Sequence, residues 1–154
     1  MSRPRYRWWQ YVKNVIRAYP ELKREYDALH EQAVTANVSG MPGGGSAGRG
    51  VESVALRELP KPKQREYDAV RKTIAITERI KTGKDRLRMI DMVFWKKSHT
   101  LTGAAMALNL SYETAVEYHR DFIMMTAFHK ELITPEELTG IQKLALKSQN
   151  NAVK

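Results

Sequence analysis

Apolar residues recur every three or four positions through most of this chain, the spacing of amphipathic helices. Trp8, Trp9, Val12, Val15 and Ile16 gather on or near one face of residues 6–18, and Leu22, Tyr26, Leu29 and Ala33 resume the rhythm after Pro20. Proline is favoured in a first helical turn, so the pattern predicts helices at 6–18 and 20–33 folded into an N-terminal hairpin. The tryptophans read as packing that staples it rather than as a base-stacking surface. A third helix is expected over 51–59, stopped by Pro60-Lys61-Pro62, because proline disfavours helix in the residue before it. A fourth spans 63–81, with Tyr67, Val70, Ile74 and Thr77 on one face and Gly83 as its stop. A fifth, 84–96, turns Leu87, Ile90, Val93 and Phe94 inward. Sustained alternation is absent and helix formers dominate outside 35–50, so the expected fold class is all-α.

The exception, Thr-Ala-Asn-Val-Ser-Gly-Met-Pro-Gly-Gly-Gly-Ser-Ala-Gly-Arg-Gly at 35–50, carries neither period. Gly43–Gly45 do not read as a phosphate-cradling loop, since no strand precedes them and no Gly-Lys-Ser/Thr comes after. The segment 37–50 reads as a Gly/Ser-rich linker between the hairpin, 1–36, and a helical domain, 51–147. Residues 148–154 are expected to fray.

Composition narrows the chemistry. The chain has 154 residues, enough for one or two small domains, and no cysteine, which removes disulfides and thiolate metal sites. His30, His99, His119 and His129 lack the paired spacing of a metal site, and no nucleophile–base pair can be named. No enzyme, cofactor or metal is therefore expected. The basic start Arg3, Arg5, Arg7 does not lead into an unbroken apolar run, since Gln10, Lys13, Asn14 and Arg17 interrupt it. Neither a secretory signal nor a membrane span is expected, and the chain reads as cytoplasmic.

Net charge is +9, which favours an anionic partner. It is unevenly spread: residues 51–100 hold 13 basic and 7 acidic side chains, whereas 101–154 hold 5 and 6. The middle of the chain is thus the expected source of electrostatic grip, through Arg71, Lys72, Arg79, Lys81, Lys84, Arg86, Arg88, Lys96 and Lys97.

Immediately beyond lies a segment that fits the twenty-position helix-turn-helix pattern. Leu101–Arg120 places the small Ala105 where two helices must touch and Asn109 where the turn needs left-handed dihedrals. Leu108, Leu110, Ala115 and Tyr118 fill the apolar positions. Thr100 and Ser111 stand where helix caps belong, with Glu113 near the second helix's positive end. A motif at 101–122 would present Tyr112, Glu113, Thr114, Val116, Glu117, His119 and Arg120 to the major groove of double-stranded DNA. Arg120 suits guanine or phosphate, and Glu113 and Glu117 suit cytosine amino groups. Lys84, Arg86, Arg88, Lys96, Lys97 and His99 complete the candidate contact set. Phe122, Ile123, Met125 and Phe128 extend the apolar stripe, and Thr134-Pro-Glu-Glu137 predicts a last helix at 135–147. That helix, with Leu138, Ile141, Leu144 and Ala145, either covers the back of the motif or meets a second copy.

The stretches Arg88-Met-Ile-Asp-Met-Val-Phe-Trp-Lys-Lys, Thr100-Leu-Thr-Gly-Ala-Ala and Leu110-Ser-Tyr-Glu-Thr-Ala-Val-Glu-Tyr-His resemble phage transcriptional regulators of the RinA and ArpU types. In that family an aromatic-basic pair, here Phe94-Trp95-Lys96-Lys97, ends the helix before the motif. Ser111, Thr114, Ala115 and Tyr118 match the opening of its recognition helix. The resemblance covers about 85–125 and implies a domain similar to region four of sigma factors. It further implies a phage or prophage activator of late genes, such as packaging or lysis functions, in a bacterial host cell. Glu113, Glu117 and Asp121 depart from the family's basic recognition helix. Two other readings stand beside the regulator: a small terminase subunit, and an interaction factor that binds RNA polymerase or another acidic partner. Homo-oligomerisation is open in each.

Overall fold

The computed structural model describes residues 6–38 and 59–152, and the side-chain surroundings of 6–31 and 59–147. Those residues form six α-helices with no strand among them. They are α1 (Trp9–Val38), α2 (Lys61–Arg79), α3 (Gly83–Ile90, prolonged by a π-helical turn at Asp91–Trp95), α4 (Leu101–Ala107), α5 (Tyr112–His129) and α6 (Gly140–Ala152), with a 3₁₀ turn at Pro135–Glu137 before α6. The first two residues of the expected linker, 37 and 38, instead end α1; its remainder, 39–50, with glycines 43–45, and most of the helix expected at 51–59 fall outside the described residues.

The N-terminal hairpin is not formed. Residues 9–38 are a single helix with Pro20 inside it. An internal proline removes one N–H and leaves the carbonyl four residues earlier without its donor. That carbonyl belongs to Ile16, and the Trp95 indole N–H donates to it at 2.9 Å. The continuous helix then lies across two others. Val12, Val15 and Ile16 enter the main core beside Val70, Met89, Phe94 and Ile123, so α1 belongs to the same packed body as α5. Farther along, Leu22 packs with Leu59 and Tyr67, and Tyr67 stacks with both Tyr19 and Tyr26.

Gly83 opens α3 instead of stopping α2. α2 ends at Arg79 through the extended Ile80, whose N–H bonds to the Thr77 carbonyl. A Cβ on Gly83 would lie 2.0 Å from the Thr77 carbonyl oxygen, so close backbone approach requires the glycine. The π turn then inserts one residue, with Lys96 N–H reaching Asp91 O at 2.7 Å, and its C-cap Lys96 is followed by Lys97 at φ 54°. Such an insertion rotates the residues beyond it about the helix axis, and here Phe94 is buried while Trp95 reaches α1.

The expected helix at 135–147 is split. The Thr134 N–H bonds to Glu137, but Leu138 is extended and buried, and a second cap at Thr139, whose N–H bonds to Gln142 Oε1, restarts the chain as α6. α6 continues to Ala152, past the expected end at 147.

Candidate nucleic-acid interface

α4 and α5 are joined by a turn at 108–111 built as the sequence required. Thr100 Oγ1 accepts from Gly103 N–H at 3.1 Å, and Ser111 Oγ accepts from Thr114 N–H at 3.1 Å, so each helix has its side-chain cap. Asn109 has φ 56°, and the next N–H, that of Leu110, bonds to the Ala105 carbonyl at 2.8 Å. Ala104, Ala105 and Ala115 are buried where α4 meets α5, and Leu108 and Leu110 pack against the same core.

This arrangement turns one face of α5 outward. Tyr112, Glu113, Glu117 and Arg120 are exposed, while Thr114 and Val116 are half-buried. Ser111 donates its hydroxyl to Thr114 Oγ1, tying that side chain to the cap. Beside α5, Lys84, Arg88, Lys97 and His99 are exposed. Lys96 is exposed too but pairs with Asp91 at 3.1 Å.

Two expected contacts are corrected. Arg86 is 4% exposed and cannot reach a phosphate. Its Nη1 donates to Asp121 at 2.8 Å, its Nε donates to Thr82 Oγ1, and its guanidinium lies 4.2 Å from the Tyr118 ring centroid. The other Asp121 oxygen accepts from Gln142 Nε2 at 2.7 Å, which joins α3, α5 and α6. Asp121 is therefore internal and neutralised, not an anion on the outward face of α5. Both positions keep the buried period: Asp121 comes three residues after Tyr118, and Arg86 three before Met89. That period is the sequence signal for their burial, and counting them as surface charge obscures it.

His119 is the second correction. It stacks on Phe94 with ring centroids 5.2 Å apart and lies 6.4 Å from Trp9. Burial, then Lys13 and Arg17, hold its pKa at about 4, so it is a neutral packing ring near pH 7. His129 is similar: burial and Lys72 hold it at about 4, and Nδ1 lies 2.9 Å from Thr73 Oγ1 in a buried group with Thr126.

Three or more His, Cys, Asp or Glu side chains do not gather into a metal-binding cluster among the described residues. No described helix is long and apolar enough to cross a membrane. No protein-family model, curated protein or solved structure matches the chain.

Proposed function

We propose that this protein is a sequence-specific double-stranded DNA-binding transcriptional regulator that inserts the N-terminal half of α5 into the major groove. The observation that carries the reading is the turn at Asn109, φ 56°, set between two side-chain-capped helices that bury the small Ala104, Ala105 and Ala115 where they meet. Such a pair leaves the start of the second helix projecting, the geometry that places side chains against base edges. Glu113, Glu117 and Arg120 are the reading residues, with Lys84, Arg88 and Lys97 as phosphate contacts. The resemblance over 85–125 supports a phage or prophage activator of late genes within that class.

The test is binding of the full chain to the DNA flanking its own gene and to a random duplex, across a salt series. Arg120→Ala and Glu117→Ala should weaken the preferred site selectively, by about 1–3 kcal/mol per base contact, whereas Lys97→Ala should weaken both duplexes alike. An unchanged ratio of specific to random binding in both α5 variants would remove the reading role. Assembly into a ring of many copies would instead favour the small terminase reading. A second reading, a protein-interaction factor that binds RNA polymerase, draws on one observation: the outward face of α5 carries Glu113 and Glu117 against Arg120 alone. It predicts no salt-dependent DNA binding.

A further inference from the structure

The first half of α1 carries a cationic face that nothing in the described fold neutralises. Residues 9–20 contain Lys13 and Arg17 and no acidic side chain, whereas Glu21, Glu25, Asp27 and Glu31 all come after Pro20. Neither cation has an ion-pair partner among the described residues, although Lys63, Arg71, Arg86 and Lys96 each do. The two cations also act on one another: burial and the nearby Arg17 pull the Lys13 ammonium below its ordinary pKa. Two neighbouring like charges with no acidic side chain between them raise the local positive potential and so favour an anion from outside.

The side chains around them are hydrogen-bonded to one another. Asn14 Oδ1 accepts from Gln10 Nε2 at 3.1 Å and from Arg17 Nη1 at 3.2 Å. An arginine only donates, so this contact fixes the Asn14 amide: its oxygen faces Gln10 and Arg17 and its NH₂ is left to donate. Arg17 also sits over the Phe94 ring, 5.8 Å from its centroid, and Phe94 stacks on His119 of α5. The fold thus holds this face beside α5 through Phe94 and through the Trp9–His119 contact.

We propose that Gln10, Lys13, Asn14 and Arg17 form a second contact surface for duplex DNA, gripping the phosphate backbone alongside the groove that α5 enters. The inference rests on the DNA-binding reading above. Donor-rich amides interleaved with unpaired cations match phosphate oxygens, which take hydrogen bonds and charge together.

The experiment compares wild type with Lys13→Ala/Arg17→Ala and with Lys23→Ala/Arg24→Ala, which removes the same charge from the other half of α1. A fluorescent duplex of the preferred site and a random duplex are titrated across a salt series, with circular dichroism confirming each fold. The first variant should lower the slope of log K against log salt by roughly two, with roughly tenfold weaker binding per lost contact near 0.1 M salt, on both duplexes. The second should leave the slope unchanged, and Arg17→Lys, which keeps the charge, should retain most of it. Two results would overturn the proposal while leaving the DNA reading intact. One is wild-type binding with an unchanged slope in Lys13→Ala/Arg17→Ala, and the other is an equal loss in both double variants. Absence of wild-type binding at every salt concentration would remove the DNA reading and this surface together. If Lys13→Ala/Arg17→Ala fails to fold, Lys13→Gln and Arg17→Gln tested singly should each lower the slope by about one.

Discussion

The Trp95 indole N–H serves the Ile16 carbonyl from 79 positions away in sequence, and that carbonyl is the one Pro20 leaves open. A helix-breaking residue is thereby accommodated by a donor from another helix. Trp95→Phe keeps an aromatic ring but removes the donor, and should cost about 1–2 kcal/mol of stability. Pro20→Ala restores a backbone N–H to the same acceptor. In that background Trp95→Phe should cost less than half as much, a coupling that a double-mutant cycle of urea unfolding measures directly. Fully additive costs would show that the two residues do not share the carbonyl.

The buried pair gives a contrast between fold and binding. Arg86→Ala strands Asp121 in the interior and should cost about 3–5 kcal/mol. Arg88→Ala, on the exposed side of α3, should leave the unfolding midpoint within about 0.5 kcal/mol of wild type. Chemical denaturation of the two variants side by side decides it, and equal effects would contradict the internal position of Arg86.

Where α4 crosses α5, Ala105→Leu adds volume to a site 3% exposed. Overpacking should lower stability by about 1–3 kcal/mol, whereas Met106→Leu, 75% exposed on the same helix, should be nearly neutral. A shift in thermal midpoint for the first variant only is the expected outcome.

Acid should loosen the fold through two histidines. His119 and His129 hold pKa values of about 4 in the folded chain, against about 6.5 when unfolded. As pH falls the unfolded chain takes up these protons first. The contribution is complete above about pH 6.5 and is lost progressively between about 6.5 and 4, on the order of 3 kcal/mol per histidine. Urea midpoints across that window should fall, and His119→Phe, which keeps a ring against Phe94, should flatten part of the slope. A flat wild-type profile would contradict the burial of both rings.

The sequence makes legible what is local. Thr100, Ser111, Asn109 and the small Ala105 and Ala115 act within a few residues of themselves, so the turn between α4 and α5 can be read from spacing alone. Pro20 reads as a helix start because its actual effect depends on Trp95, which local spacing cannot reveal. Gly83 looks like a helix stop, yet its role is set by how near the Thr77 carbonyl comes. Arg86 and Asp121 look like surface charge because pairing across 35 positions, with Gln142 a further 21 away, leaves no short-range signature beyond the apolar period they interrupt.

The unbroken α1 also gives the molecule a direction. Thirty residues make a rod about 45 Å long. Lys13 and Arg17 stand in the half that begins at Trp9, and four carboxylates against Lys23 and Arg24 stand beyond Pro20. The peptide dipoles point the same way, positive towards the Trp9 end. Side chains and backbone therefore add into one moment along the axis, and near a polyanion the field exerts a torque on it. Within α1 the Trp9 end is therefore the one a polyanion would draw first, ahead of the carboxylate-bearing end.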